Sequence, residues 1–323
     1  MRDGNAVWLP WRRSHLPGLP DGLSYSFWDG SGPLPGDPAE VRFLVGPPVP
    51  GAERVLGPVL PRMRSLEVLQ VLSSGYDHML PLLADLPAGT RLATGRGVHR
   101  EATAELAVTL LLALSRGLDR FAAHQAAGEW RPEFRSTLVG KRVLVLGYGA
   151  VGASVAARLT ACRCEPVLVA RTARTTPAGR VHGAAELPAL LPTVDAVVLC
   201  SPLTEQTRGM FGAETLALLR DGALLVNVAR GELVDTHALV REVRAGRLRV
   251  GLDVTDPEPL PSGHPLWHLP GAVITPHVAA FTEEFPAMTA DFVRQQLRRY
   301  ARGEALDNVV LTTAPAGGGE QAA

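Results

Sequence analysis

Residues 143–152 read Val-Leu-Val-Leu-Gly147-Tyr148-Gly149-Ala150-Val151-Gly152. An apolar run stops on three glycines spaced G-x-G-x-x-G, and an alanine-rich helical pattern covers residues 153–160. A strand that enters a glycine turn and leaves as a helix has the form of a dinucleotide-binding turn. Gly147 permits the tight turn, Gly149 lets a pyrophosphate approach the backbone, and Gly152 lets helix and strand pack closely. The helix N-terminus then faces the phosphate charge. Glycine-rich loops are common. The strand before this one and the helix after it are what give it meaning.

The next strand bears on the kind of nucleotide. It reads Pro166-Val-Leu-Val-Ala170-Arg171-Thr172-Ala173-Arg174. An NAD site places Asp or Glu about 20 residues beyond the glycines, where it accepts from the ribose 2′-OH. No carboxylate stands there, and Arg171, Thr172 and Arg174 do. Guanidinium forks and a hydroxyl suit a 2′-phosphate, which a carboxylate would repel. The plain alternative is two surface arginines after a strand. The missing acid and the gained bases agree on NADP(H) as the preferred cofactor, with NAD(H) as the other possibility.

The chain has 323 residues, enough for two domains with separate cores. It carries 32 basic and 32 acidic residues, which argues against a broad nucleic-acid or anionic-membrane surface. Three cysteines, Cys162, Cys164 and Cys200, provide no disulfide framework, and nothing completes a metal set around them. The longest apolar run, near residues 106–114, is too short to span a bilayer, and the N-terminus lacks a signal-peptide core. A cytoplasmic protein is expected.

Residues 1–97 alternate short apolar runs (6–9, 41–45 and 66–72) with Pro/Gly-rich turns, and 17–38 follow no period. Residues 101–117 are apolar at helical spacing and are expected to form a buried helix. Strand patterns then recur at 142–146, 167–171, 196–200, 224–228, 250–254 and 273–274, with helical patterns between most of them. That is the order of a doubly wound parallel sheet. A last helix is expected at 282–302, with Thr282 as N-cap and Glu283 and Glu284 in its first turn. Two doubly wound α/β domains follow from this pattern. A Rossmann domain at 98–281 is inserted into a smaller flavodoxin-like substrate domain, 1–97 completed by 282–310. A tail at 311–323 is expected to be disordered. The chain crosses between the domains near 95–99 and 279–281, and a cleft there is the expected meeting place of substrate and nicotinamide.

Three polar motifs sit at strand ends, where open α/β sheets bind ligands. They are Asn227-Val228-Ala229-Arg230-Gly231, Asp253-Val-Thr-Asp-Pro-Glu258-Pro-Leu260 and Thr275-Pro-His277. Taken singly, Arg230 is an ordinary strand-end charge, Glu258 a solvated loop residue and His277 a structural histidine. Behind a nucleotide fold the three suit reduction of a ketone beside a carboxylate. His277 transfers the proton, Glu258 orients the ring and favours its charged form, and Arg230 binds the carboxylate and polarises the carbonyl.

On these residues the chain resembles the D-2-hydroxyacid dehydrogenase family, over about residues 66–310. The resemblance matches Asn227 to Gly231, Asp253 to Leu260 and Thr275 to His277 to the family's motifs. It implies that Arg230, Glu258 and His277 are catalytic, that Asp253 contacts the nicotinamide amide, and that Val228, Ala229 and His277 also bind the cofactor. Ser201, Pro202 and Thr207 resemble the family's cofactor-side loop. In Val71-Leu-Ser73-Ser74-Gly75-Tyr76-Asp77-His78 the resemblance gives the backbone N–H groups of Ser74 and Gly75 to the substrate carboxylate. Asp77 and His78 are expected only to start a helix. Gly95 and Ala280 depart from the family pattern, which often has Asn and Gly there. The cofactor strand resembles the NADP-using glyoxylate/hydroxypyruvate reductase branch. Formate dehydrogenases of the superfamily have Gln where Glu258 stands, which disfavours that activity.

The expectation is an NADPH-preferring reductase of small 2-keto acids that makes D-2-hydroxy acids, a homodimer by resemblance, with residues 116–135 and Trp130 as a dimer arm. Two alternatives stay open: oxidation of a D-2-hydroxy acid as the main direction, and a nucleotide-sensing binding protein without turnover.

Overall fold

A computed structural model describes residues 6–12, 14, 16–49 and 51–314. The chain divides into two units, one from Met1–Val98 with Glu283–Ala323 and one from His99–Thr282. The first unit begins with β1 (Ala6–Leu9), β2 (Ser24–Phe27), β3 (Val41–Val45), α1 (Ala52–Leu56), β4 (Val68–Gln70) and β5 (Arg91–Ala93). All five strands run parallel, in the order β5-β4-β3-β1-β2. Both faces of the sheet are covered at its centre, so β1 and β3 are nearly continuous apolar runs, whereas the edge strand β2 is Ser-Tyr-Ser-Phe and only partly buried. The sheet's side chains alternate between two cores. Trp8, Leu44 and Leu69 pack with Leu56, Leu60, Met63 and Met79. Val7, Leu9, Phe43 and Val45 point the other way. Residues 17–38, which lack any period, nevertheless contain β2, in register with β1.

The second unit opens with α2 (Arg100–Arg116) and α3 (Leu118–Ala126), separated by Gly117 in the left-handed region. Then come β6 (Arg142–Leu146), α4 (Ala150–Ala161), β7 (Glu165–Ala170), β8 (Arg174–Thr176), β9 (Gly179–Gly183), α5 (Leu187–Leu190) and β10 (Ala196–Leu199). The unit closes with α6 (Ala213–Ala217), β11 (Ala223–Asn227), α7 (Thr236–Arg244), β12 (Leu248–Leu252) and β13 (Ala272–Ile274). The sheet order is β13-β12-β11-β10-β6-β7-β9-β8, parallel except for the β8–β9 hairpin. From β6 the chain winds outward through β7 and β9, then returns to β10 on the other side. The order therefore reverses between β6 and β10, the switch point at which such sheets bind nucleotides. α2 and α4 pack together over one face, with Leu111, Leu114, Val155 and Leu159 in the core beneath β6 and β11.

The chain then re-enters the first unit through α8 (Phe285–Arg302) and β14 (Val309–Thr312). α8 starts at Phe285, three residues later than the pattern predicts. Thr282 is not its cap, and Glu283 and Glu284 precede it. Pro286 in the first turn explains the delay, because proline fits the first helical positions and restricts the residue before it. α8 lays Ala290, Val293 and Leu297 on the Val7–Phe43 face. The expected disordered tail is corrected at its start: Leu311 and Thr312 belong to β14, paired antiparallel with Leu92 and Arg91 of β5. Pairing satisfies an edge that would otherwise expose unmet backbone groups. Residues 315–323 lie outside the described residues.

Candidate active site

The glycine turn closes tightly at one end and stays open at the other. Gly147 sits at φ 99°, and a Cβ there would fall 2.5 Å from the Ser201 nitrogen and 2.7 Å from the Cys200 oxygen. A Cβ on Gly152 would fall 2.0 Å from the Gly147 oxygen, so α4 packs on the turn at backbone distance. A Cβ on Gly149 would meet nothing within 4 Å. Gly149 is also the N-cap of α4 and has no side-chain cap, which leaves the first-turn N–H groups around Ala150 and Val151 to a ligand or water. Beside the turn, the Ser201 hydroxyl is buried and makes no hydrogen bond. A buried hydroxyl of this kind calls for a partner. The open glycine, the uncapped helix start and the orphaned hydroxyl together fit the pyrophosphate side of a dinucleotide.

Other residues given to the cofactor behave differently. Thr207 spends its hydroxyl on its own loop, donating to the Pro202 oxygen at 2.8 Å and accepting from Thr204 N at 2.8 Å. Pro202 itself is exposed. Val228 packs into the core beside Val226, which leaves only its backbone for a ligand. Ala229 N donates to Asn227 Oδ1 at 3.0 Å. Cys200 is half-buried, and desolvation pushes its thiol up to about 12, so it is no nucleophile.

At the ribose end, β7 stops at Ala170, and Arg171, Thr172 and Arg174 are exposed. Arg174 lies on β8 rather than in a loop. Its Nη2 donates to the Tyr148 oxygen at 2.9 Å. Among the described residues no carboxylate pairs with Arg171 or Arg174. The neighbouring Arg180 is instead bound to Glu186 at 2.8 Å.

The ends of β11, β12 and β13 carry the polar trio. Asn227 is buried, and its Nδ2 donates to the Arg230 oxygen at 2.8 Å, which folds the turn that projects Arg230. Arg230 Nη1 donates to the Ala229 oxygen at 2.8 Å. Gly231 packs against the next loop: a Cβ would lie 2.0 Å from the Thr255 oxygen and 2.6 Å from the Asp256 nitrogen. Three residues past Thr255, Glu258 Oε1 meets His277 Nδ1 at 2.5 Å. Both side chains are about half exposed, 46% for His277 and 41% for Glu258. Asp253, 2% exposed, ties the β12 and β13 loops together. Its Oδ1 accepts from Thr275 Oγ1 at 2.6 Å and Val278 N at 2.9 Å, and its Oδ2 from Ala279 N at 3.1 Å. Sequence reasoning assigned Asp253 to the nicotinamide and missed this clamp. The available signal was a buried strand-end acid, which must find donors.

In the first unit, Ser74 is exposed and Gly75 half-buried, in the turn after β4. Ser73 Oγ donates to the Gly75 oxygen at 2.7 Å, and Gly95 N donates to the Ser73 oxygen at 2.9 Å. The departure at Gly95 has a steric reason, since a Cβ would fall 2.2 Å from the Leu72 oxygen. Asp77 and His78 begin a 3-10 stretch, Asp77–Asp85.

A Rossmann sheet with an acid-bound histidine and an arginine at its carboxyl edge defines the class of nucleotide-dependent oxidoreductases. The comparisons agree and go further. Residues 108–279 match the model of the D-isomer specific 2-hydroxyacid dehydrogenase, NAD binding domain. A glyoxylate reductase of Thermococcus litoralis is 31% identical over 77% of this chain and 80% of its own. A mitochondrial formate dehydrogenase of Hordeum vulgare is 32% identical over 75% of this chain and 66% of its own. A D-isomer specific 2-hydroxyacid dehydrogenase from Xanthobacter autotrophicus Py2, solved in complex with NADPH and MES, superposes with a TM-score of 0.79 at 31% identity, covering 94% of this chain and 97% of that one. The chain belongs to the D-isomer specific 2-hydroxyacid dehydrogenase family and carries its NAD-binding Rossmann domain. Among the described residues no helix is long and apolar enough to cross a membrane.

Proposed function

We propose that the protein is an NADPH-preferring reductase of small 2-keto acids, with glyoxylate and hydroxypyruvate as lead substrates and the D-2-hydroxy acid as product. The observation that carries this reading is the hydrogen bond between His277 Nδ1 and Glu258 Oε1, on loops tied to the Arg230 turn. A dinucleotide held at the glycine turn would supply the hydride for the carbonyl carbon. With Nδ1 held by Glu258, the proton for the carbonyl oxygen sits on His277 Nε2. Arg230 offers its fork to the carboxylate and to the oxygen as negative charge develops there. The backbone N–H groups of Ser74 and Gly75 are assigned to carboxylate binding.

Preference for NADPH is supported by the unneutralised Arg171 and Arg174 beside Thr172, and by the NADPH bound to the Xanthobacter relative. Glu258 favours a keto acid over formate, although formate dehydrogenases are among the relatives. Assembly as a homodimer is part of the same reading. Trp130 and Phe134, in the segment after α3, are wholly exposed and suit a second copy of the chain. The test is a steady-state panel of 2-keto acids with NADPH and NADH in parallel, with the product's chirality determined. Equal catalytic efficiency with the two cofactors removes the NADPH preference. No turnover of any keto acid removes the reductase.

A further inference from the structure

We propose that Tyr148 is a positioning residue for cofactor choice. It holds the Arg174 guanidinium at the mouth of the glycine turn, so that recognition of a 2′-phosphate depends on a side chain that does not touch that phosphate. The inference rests on the NADPH preference proposed above and adds how it is built.

Tyr148 is the middle residue of Gly147-Tyr148-Gly149, half-buried against the core under the turn. Arg174 opens β8, whose hairpin partner β9 lies in register with the end of β7, Ala170 opposite Gly183. The hairpin thereby delivers Arg174 to the glycine turn from the ribose side. Three contacts then hold one guanidinium. Nη2 donates to the Tyr148 oxygen at 2.9 Å, Nη1 to the Thr172 oxygen at 3.5 Å, and Cζ stands 5.9 Å from the Tyr148 ring centroid. The last distance is within reach of a cation–π contact.

None of these contacts neutralises the arginine, because two are carbonyls and one is an aromatic ring. The nearby Glu186 carboxylate is already taken by Arg180 at 2.8 Å, His182 at 2.7 Å and Gly183 N at 3.0 Å. Arg174 thus keeps its full charge while losing much of its freedom. Arg171, among the described residues, makes no hydrogen bond or ion pair. An arginine ordered before the ligand arrives gives more of its contact energy to binding than one that must be ordered by it. The two arginines therefore differ: Arg174 is prepared and Arg171 is recruited. The preparation runs through Tyr148, which links the turn that takes the pyrophosphate to the cation that takes the 2′-phosphate.

The experiment compares binding of adenosine 2′,5′-bisphosphate and 5′-AMP by calorimetry, without turnover. The proteins are the parent, Tyr148→Leu, Tyr148→Phe, Arg174→Ala, Arg171→Ala and the Tyr148→Leu/Arg174→Ala double variant. Tyr148→Leu should weaken the bisphosphate about threefold to fivefold, the worth of an exposed cation–π contact, and leave 5′-AMP unchanged. Tyr148→Phe, which keeps the ring, should retain the parent's ratio. Arg174→Ala should weaken the bisphosphate on the order of tenfold, and Tyr148→Leu should add nothing in that background. If the leucine variant does not fold, Tyr148→Met removes the π face at similar volume and takes its place. Equal weakening of both nucleotides would overturn the proposal, since Tyr148 would then only shape the turn. So would additive effects of Tyr148→Leu and Arg174→Ala. If Arg174→Ala leaves the ratio unchanged and Arg171→Ala alters it, the proposal falls while the NADPH reading stands. A parent that does not prefer the bisphosphate overturns both.

Discussion

Gly231→Ala tests whether the Arg230 turn and the Glu258 loop act as one unit. Gly231 follows the arginine directly, and its Cα faces the backbone of Thr255 and Asp256. A methyl group there would stand 2.0 Å from the Thr255 oxygen, whereas real Cβ atoms keep about 3 Å. No rotamer relieves this clash, because both contacting groups are backbone. The two loops must separate by about 1 Å. A displacement of that size between catalytic groups costs about 100-fold in turnover, and overpacking costs about 1–3 kcal/mol of stability. The glycine turn follows β6, which β10 separates from β11 in the sheet, so cofactor affinity should stay within about twofold. The assay is steady-state reduction of glyoxylate with NADPH, alongside calorimetric NADPH binding and a urea titration. Turnover within about threefold of the parent would show that Arg230 and the Glu258–His277 pair need not keep their spacing.

His277→Ala should cut turnover about 10²–10⁴-fold while NADPH still binds, because only the proton donor is lost; stopped-flow and binding titrations read the two effects separately. Arg230→Lys keeps the charge but loses the planar fork, so it should raise KM for the keto acid and lower kcat together, and normal kinetics in this variant would take Arg230 out of the site. Glu101 links α2 to α4 by accepting from Ser154 Oγ at 2.7 Å and Arg158 Nη1 at 2.9 Å, and these bonds hold its carboxyl at about 2 against an ordinary 4.5. A depressed carboxyl stabilises the fold above its unfolded value and ceases to as pH falls through the folded one. Glu101→Gln should therefore cost about 0.5–1 kcal/mol at pH 7, discounted because the side chain is 53% exposed, and the gap in a urea titration should shrink from pH 4.5 towards pH 2.

The legible parts of the chain are those whose residues report their own surroundings. Strands β6, β10, β11 and β12 are apolar runs because both faces of the sheet are covered, and that burial is visible in the residues themselves. The His277–Glu258 contact was legible from motif spacing at strand ends. The β8–β9 hairpin was not, because Arg174-Thr-Thr-Pro-Ala-Gly-Arg-Val-His182 is mostly polar, with Val181 its one core residue, and pairing with β7 is what orders it. β14 was hidden for the same reason: Val309 to Thr312 have no alternation, and their order comes from the β5 edge. The Asp253 clamp joins residues more than twenty positions apart, a distance that no local pattern encodes.

His277 itself shows how the site is held. It adopts φ 55°, a left-handed conformation that a non-glycine residue takes at some cost. Strain of this kind persists only where the surroundings over-determine it, and is worth on the order of 1–3 kcal/mol. The surroundings here are backbone: His277 N donates to the Asp253 oxygen at 2.7 Å, and the Asp253 carboxylate holds Val278 N and Ala279 N on the far side. The same residue therefore grips the loop before and after the strained position. This accounts for a His277–Glu258 pair that is half exposed and yet fixed. Burial would order the side chains but shut out a substrate, whereas a clamped backbone orders His277 from behind and leaves its ring half exposed. On this argument the buried acid and the exposed base are two halves of one device. Asp253 pins the loop below the surface, and Glu258 aims the ring above it.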